Sequence, residues 1–131
     1  MSDEFITSFC ERHGIELYVE FGSRVWGRDN AASDYDIAIK PAVRPAPDTL
    51  ICISELERHF SVLVDLTILN ANTDPLLLWE IARGRALYER QPGCFAELRA
   101  WAWKSYVDTA SLREKERHWL NQFARSVSDV T

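Results

Sequence analysis

The stretches FGS at positions 21–23 and DYD at positions 34–36, separated by ten residues, decide the fold of this chain. The Gly-Ser pair ends an apolar run over residues 15–21, and the two aspartates open a second extended run over residues 34–39. In a strand, residues i and i+2 point to the same face, about 7 Å apart at ~3.3 Å per residue. We therefore expect Asp34 and Asp36 to project together, beside the Gly-Ser turn.

The residue types around this turn indicate a particular chemistry. Hard divalent cations bind clustered carboxylate oxygens, and phosphate groups bind backbone N–H groups and metal ions. Gly22 and Ser23 supply backbone N–H groups and a hydroxyl, while Asp34 and Asp36 supply the carboxylates. The pattern predicts a metal-dependent nucleotide site.

A third carboxylate extends the pattern. Gly22-Ser23, ten residues and then Asp34-x-Asp36 resemble, without insertion, the signature of the DNA polymerase β-type nucleotidyltransferase superfamily. That superfamily has a further carboxylate on a later strand, and Asp65 lies in the apolar run over residues 61–69. A lone Asp-x-Asp is common, whereas the combination is far more specific. Residues 15–69 are therefore expected to form the catalytic core.

The resemblance implies a role for each carboxylate. Asp34 and Asp36 bind a pair of magnesium ions, and Asp65 completes the metal site near the acceptor and helps to deprotonate it. These three residues are thus expected to be both the catalytic residues and the metal ligands. Three carboxylates converging on one sheet repel each other and resist desolvation, so a metal-free structural role would be unfavourable.

The turn itself is expected to bind the nucleotide. By resemblance, Gly22 lets the backbone approach the phosphates closely, and Ser23 hydrogen-bonds β- and γ-phosphate oxygens. Arg24 follows the turn and is a further candidate for phosphate binding, the alternative being a solvated loop arginine. The resemblance implies ATP as the substrate, since no motif in this sequence selects the base.

Length, composition and charge limit the function further. The 131 residues, 47% apolar and 27% charged, fit a single globular domain over residues 1–131. No apolar run approaches the ~20 residues that cross a membrane, and the acidic N-terminus is unlike a secretory signal. Three widely separated cysteines predict neither disulfides nor a zinc site, which favours the cytoplasm. The net charge of −5 argues against direct nucleic-acid binding.

Apolar periodicity and capping signals predict the order of helices and strands. The expected segments are a helix at 3–13, strands at 15–21 and 34–40, a helix at 49–60, a strand at 61–69, a helix at 75–83, a strand at 85–89 and a C-terminal helical segment at about 93–127. This C-terminal segment is either one long helix or two, the second starting at a capping box at Ser111. Periodicity alone gives an α/β or α+β class. The resemblance implies a polymerase β-like mixed sheet with helices packed on one face.

Aromatic and basic residues are interleaved along the C-terminal segment. One interpretation is an amphipathic helix that covers the sheet with a single apolar stripe, formed by Phe95, Leu98, Ala102, Leu112, Trp119 and Phe123. Trp101, Trp103 and Tyr106 do not all fit this stripe, so some of them are expected to face outward. Because Trp, Tyr and Arg are enriched at binding hot spots, we also predict a protein-binding surface here.

The short chain resembles the minimal nucleotidyltransferases, many of which are antitoxins paired with a HEPN ribonuclease toxin. This resemblance implies transfer of AMP from ATP to a tyrosine hydroxyl of the toxin, with the toxin contacting the C-terminal segment. Two alternatives remain open at this point. One is a nucleotidyltransferase that modifies an antibiotic or metabolite, and the other is a non-enzymatic antitoxin that acts by binding.

Overall fold

The computed structural model describes residues 2–22, 34–42 and 45–129. In chain order its elements are α1 (Ser2–His13), β1 (Ile15–Phe21), β2 (Tyr35–Pro41), α2 (Thr49–Phe60), β3 (Val64–Ile68), α3 (Pro75–Ala82), β4 (Arg85–Glu89), α4 (Cys94–Asp108) and α5 (Ala110–Asp129). The predicted order of helices and strands is confirmed. The third strand is shorter than expected, since residues 61–63 precede it as a bend and β3 begins only at Val64.

Four strands form a mixed sheet in the order β3-β2-β1-β4. Strand β1 pairs antiparallel with both β2 and β4, whereas β2 and β3 run parallel. A parallel pair needs a crossover connection, and α2 provides it between β2 and β3. The end of β1 and the beginnings of β2, β3 and β4 therefore meet at one end of the sheet.

Helices cover both faces of the sheet, so the expectation that they pack on one face is wrong. On one face, α1 and α2 pack against a first core that includes Tyr18, Tyr35 and Ile37. On the other face, α3 and α4 pack against a second core that includes Val19 and Ala38. The central strands β1 and β2 carry apolar side chains on both faces, and a strand of that kind must be covered on both sides.

Side-chain caps fix where two of the helices begin. The Asp48 carboxylate accepts a hydrogen bond from the Ile51 amide at the start of α2, and Asp74 accepts from the amides of Leu76 and Leu77 at the start of α3. Caps of this kind satisfy amides that have no partner within the helix. The sequence predicts Asp48 or Thr49 as the cap of α2 and Asp74 as the cap of α3, and the structure has Asp48 and Asp74.

A glycine lets the turn between α3 and β4 approach the end of β1 closely. A Cβ placed on Gly84 would lie 2.3 Å from the carbonyl oxygen of Glu20 and 2.8 Å from the Cβ of Phe21. No side chain fits in this space, so Gly84 fixes the turn against the last residues of β1. Sequence reasoning identified Gly84 only as a helix stop.

The C-terminal segment forms two helices that are separated at Thr109, and the second begins one residue before Ser111. Helix α4 buries Leu98 and Ala102 in the second core. Its 15 residues span about 22 Å, and the seven residues of β1 span about 23 Å, so α4 alone covers the length of the sheet.

Helix α5 does not cover the sheet, contrary to the single-stripe interpretation. Its described side chains are exposed apart from the half-buried Arg113. The apolar residues Leu112, Trp119 and Phe123 are 55–61% exposed. Since α4 already spans the sheet, the chain beyond Thr109 extends past the core that it would have to cover.

Aromatic side chains join α3 to α4. The ring of Trp79 stacks on Tyr106 with centroids 4.9 Å apart and lies 5.7 Å from the ring of Trp103. Trp101 packs against the second core, whereas Trp103 is 57% exposed. The expectation that these aromatics do not share one buried stripe is confirmed.

Among the described residues, no helix is both long and apolar enough to cross a membrane.

Substituting Gly84 tests the close packing of the α3–β4 turn. We expect Gly84→Ala to lower the free energy of unfolding by roughly 3 kcal/mol, because the added methyl group overlaps backbone atoms. Gly93→Ala is the control: Gly93 has φ +101°, and nothing lies within 4 Å of the added Cβ, so about 1 kcal/mol is expected from backbone strain alone. Denaturant unfolding measures both values. Equal losses in the two variants would contradict the packing argument.

Candidate active site

The predicted acids lie at the end of the sheet where β1 finishes and β2 and β3 begin. Gly22 directly follows β1, Asp34 directly precedes β2, and Asp36 is the second residue of β2. Asp65 is the second residue of β3. A loop-and-strand-end position of this kind is where rigid sheets commonly present functional groups.

The strand register brings Asp36 and Asp65 together. Phe21 pairs with Asp36 across β1 and β2, and Asp36 pairs with Asp65 across the parallel strands β2 and β3. Neighbouring strands lie about 4.8 Å apart, and paired residues point to the same face. This is the face of the second core, to which Phe21 and Ala38 belong. Two carboxylates therefore stand side by side at the edge of the α3–α4 layer.

Gly22 packs directly against one of these carboxylates. Its φ is +84°, in the left-handed region that favours glycine, and an added Cβ would lie 2.2 Å from Oδ2 of Asp36. The sequence suggested that glycine is needed here for the approach of phosphate. The structure adds a second reason, because any side chain at position 22 would displace the Asp36 carboxylate.

The other residues predicted for this site are Asp34, Ser23 and Arg24. Asp34 is exposed at the start of β2, two residues before Asp36. Within residues 2–22, 34–42 and 45–129, no three His, Cys, Asp or Glu side chains are close enough to hold a metal ion together. Ser23 and Arg24, and the short helical turn expected after Gly22, lie outside the described residues.

The donor set suits a hard divalent cation. Carboxylate oxygens are the ligands that Mg²⁺ prefers, and Mg²⁺ is typically held by one or two carboxylates plus substrate phosphates and waters. Asp36 and Asp65 supply two carboxylates in register. Asp34 lies two residues before Asp36 in the sequence, next to the start of β2. The pair therefore fits a site that is completed by substrate phosphates rather than by protein groups alone.

Residues 4–93 match the model of the family described as "Polymerase beta, Nucleotidyltransferase". This range includes Asp34, Asp36 and Asp65. This chain belongs to the polymerase β nucleotidyltransferase family. Enzymes of this family use a nucleotide substrate and generally a divalent metal ion. No curated protein matches the sequence.

Several solved structures similar to this nucleotidyltransferase are toxin–antitoxin complexes. A chain of a toxin–antitoxin complex with AMP-PNP is 19% identical, with a TM-score of 0.70 over 95% of this chain and 99% of that chain. A chain of the complex of a tri-AMPylated HEPN toxin from Shewanella oneidensis with its MNT antitoxin is 17% identical, with a TM-score of 0.64 over 93% and 95%. At these identities the likeness shows a shared fold.

Sequence reasoning missed a polar network behind the acids of the nucleotidyltransferase. Glu20 is 9% exposed in β1, and its carboxylate accepts hydrogen bonds from the Tyr35 hydroxyl and the Arg85 guanidinium. The available signal was a glutamate within LYVEF, the otherwise apolar stretch that ends β1. Its partners lie 15 and 65 residues away, so no local pattern identifies them.

Removing one of the two carboxylates tests the contribution of Asp65 to the metal site. We expect Asp65→Asn to leave the thermal midpoint in EDTA within about 2 °C of that of the wild type, because Asp65 is exposed in β3. Millimolar Mg²⁺ with a nonhydrolysable ATP analogue should then stabilise the wild type but not the variant. Differential scanning fluorimetry measures both effects.

Glu114→Gln is the control, since Glu114 is exposed on α5 and its loss changes the net charge equally. Its midpoint should follow that of the wild type in both conditions. Equal stabilisation of Asp65→Asn and the wild type by Mg²⁺ and nucleotide would contradict the assignment of Asp65 to the metal site.

Proposed function

We propose that this nucleotidyltransferase is an antitoxin that transfers AMP from ATP to a tyrosine hydroxyl of a cognate HEPN ribonuclease toxin. The observation that carries this proposal is the register pairing of Asp36 with Asp65 beside Gly22. Two carboxylates in register beside a glycine turn are the groups that a magnesium–nucleotide complex requires, so this arrangement favours catalysis over a purely binding role.

The proposed reaction is a displacement at the α-phosphorus of ATP. The tyrosine oxygen forms a bond to the α-phosphorus, the bond from this phosphorus to the oxygen that bridges to the β-phosphate breaks, and pyrophosphate leaves. Bound magnesium would neutralise phosphate charge and stabilise the attacking and leaving oxygens.

Each site residue has one proposed task. Asp34 and Asp36 hold the metal, and Asp65 holds metal near the acceptor and takes the tyrosine proton. The backbone at Gly22 approaches the phosphates, and Ser23 and Arg24 bind phosphate oxygens, as the sequence pattern implies. The added phosphodiester carries a negative charge, which would repel RNA from the modified toxin.

Helix α5 is the proposed docking surface for the toxin. Trp119 and Phe123 stack with ring centroids 5.6 Å apart, and both are about 60% exposed, as is the neighbouring Leu120. Exposed aromatic residues at helical spacing are typical anchors for a partner protein. The structural neighbours with nucleotide or AMPylated toxin are themselves complexes of two proteins, which supports a protein acceptor.

Continuity of α5 with the catalytic layer adds support. Asp36 and Asp65 face the layer of α3 and α4, and α5 continues from α4 after Thr109. Arg113 anchors this junction, because its guanidinium donates to the Tyr106 carbonyl at 2.9 Å and lies 3.9 Å from the Tyr106 ring centroid.

The proposed setting is the cytoplasm, in agreement with the three free cysteines.

Co-expression with the product of the neighbouring gene tests the transfer reaction. We expect the intact mass of that partner to increase by one or more AMP units with the wild type, and to stay unmodified with Asp34→Ala/Asp36→Ala. Intact-protein mass spectrometry measures the increment, and fragmentation identifies the modified residue.

Other outcomes favour the alternatives. An unmodified partner that the wild type and the double variant both bind and neutralise would contradict the transferase proposal in favour of inhibition by contact. Transfer of a nucleotide to a small hydroxyl compound, with no modification of the partner, would instead favour an enzyme acting on an antibiotic or metabolite.

Truncating the α5 aromatics tests the docking surface. We expect Trp119→Ala/Phe123→Ala to weaken partner binding by at least 30-fold, about 2 kcal/mol for loss of hot-spot side chains. Binding of Mn²⁺ and nucleotide should be unaffected, since both residues lie outside the proposed catalytic site. Calorimetry with the purified partner measures the affinity.

A second double variant controls for the loss of apolar surface. Leu50→Ala/Ile51→Ala removes side chains that are 75% and 57% exposed on α2. It should bind the partner with wild-type affinity. Equal affinities of the α5 double variant and the wild type would exclude α5 as the docking surface.

A further inference from the structure

Glu20 is a buried carboxylate in a face of the sheet that is otherwise apolar. Glu20 lies two residues after Tyr18 in β1, so both side chains point to the same face of the sheet. This is the face of the first core, where Tyr35 and Ile37 lie. Oε2 of Glu20 accepts a hydrogen bond of 2.8 Å from the Tyr35 hydroxyl, and Oε1 accepts one of 2.8 Å from Nε of Arg85. A second Arg85 nitrogen, a terminal guanidinium nitrogen, also donates to Oε1.

The three residues lie on three adjacent strands. Glu20 is in β1, Tyr35 opens β2 and Arg85 opens β4, with Glu20 and Arg85 paired in register. All three are at the end of the sheet that carries the acids. The network therefore joins β2, β1 and β4 where the proposed site is built.

Two members of the network, Tyr35 and Glu20, lie within two residues of the proposed site in sequence. Tyr35 lies between Asp34 and Asp36, with its side chain on the opposite face of β2. Glu20 precedes Gly22 by two residues. A shift of β2 by one residue would turn Asp36 to the opposite face of the sheet, away from Asp65. Any change in how Tyr35 is held is thus transmitted to both aspartates through the backbone.

Packing alone does not explain a carboxylate at position 20. The ion pair contributes little to stability, because Glu20 is buried but its partner Arg85 is 65% exposed and remains solvated. The best-supported use of a buried polar group of this kind is to specify one register. Hydrogen bonding to Glu20 raises the pKa of the Arg85 guanidinium.

We infer that Glu20, Tyr35 and Arg85 form a positioning network that holds Asp34 and Asp36 in place for the metal–nucleotide complex. The three are positioning residues, because they act through β2 and do not face the acids. This inference rests on the proposed metal site. It extends that site to the opposite face of the sheet and to β4, beyond the residues of the sequence motif.

Two substitutions that leave the net charge unchanged test the network. Tyr35→Phe removes only the hydroxyl and keeps the ring, whose centroid lies 5.0 Å from that of Phe60. Arg85→Lys keeps the charge but loses the planar guanidinium that makes two contacts with Glu20. Arg85 is 65% exposed, so this variant is expected to fold even if the tyrosine variant does not.

The measurement is the affinity for Mn²⁺ in the presence of a nonhydrolysable ATP analogue, followed by water proton relaxation. We expect both variants to bind Mn²⁺ about tenfold more weakly than the wild type, the usual scale for groups that orient metal ligands. Far-ultraviolet circular dichroism should be unchanged. The controls Tyr88→Phe in β4 and Arg83→Lys after α3 should retain wild-type affinity.

The outcomes separate this inference from the function on which it rests. If the wild type binds Mn²⁺ and both variants bind it equally well, the network serves stability alone and the inference fails. If the wild type does not bind Mn²⁺ with the nucleotide analogue, the proposed metal site fails, and this inference fails with it. Weaker binding in the folded variants together with unchanged controls supports the inference.

Discussion

The backbone register across β1, β2 and β3 is the constraint on which the rest of this structure depends. It places Phe21 beside Asp36 and Asp36 beside Asp65, so that the Gly22 turn and two carboxylates share one end and one face of the sheet. Because side chains alternate along a strand, a shift of one residue would scatter these groups over both faces. Since β1 and β2 are apolar on both faces, that shift would also move the side chains of each core to the opposite face, against helices that fit a different set of side chains. Fold and site are thus specified by the same pattern.

The sequence predicted the elements whose signals are local. The strands around FGS and DYD, the caps Asp48 and Asp74 and the strand after Gly84 are each encoded within a few residues, and the structure has them. The contacts between distant segments could not be predicted in this way. Glu20 meets Arg85 across 65 residues, and the coverage of both sheet faces depends on where α3 and α4 pack.

The C-terminal segment illustrates a second limit of sequence reasoning. Amphipathic periodicity identifies an apolar stripe but does not say what covers it. The residues of α4 and α5 fit one stripe in sequence, yet only those of α4 pack on the core, where Leu98 and Ala102 are buried and Phe95 is partly buried. Trp119 and Phe123 of α5 are exposed. The length of the sheet decides this difference, because α4 already spans it. An apolar helix face beyond the core is available to a partner protein.

The two faces of this end of the sheet carry different polar groups. Asp36 and Asp65 are two carboxylates in register on one face, whereas Glu20 on the other face accepts hydrogen bonds from Arg85 and Tyr35. The most direct test is a crystal structure with Mn²⁺ and a nonhydrolysable ATP analogue. We predict anomalous peaks in contact with the Asp36 and Asp65 carboxylates and phosphates over the Gly22 turn. Manganese and phosphates bound away from both carboxylates would contradict the account.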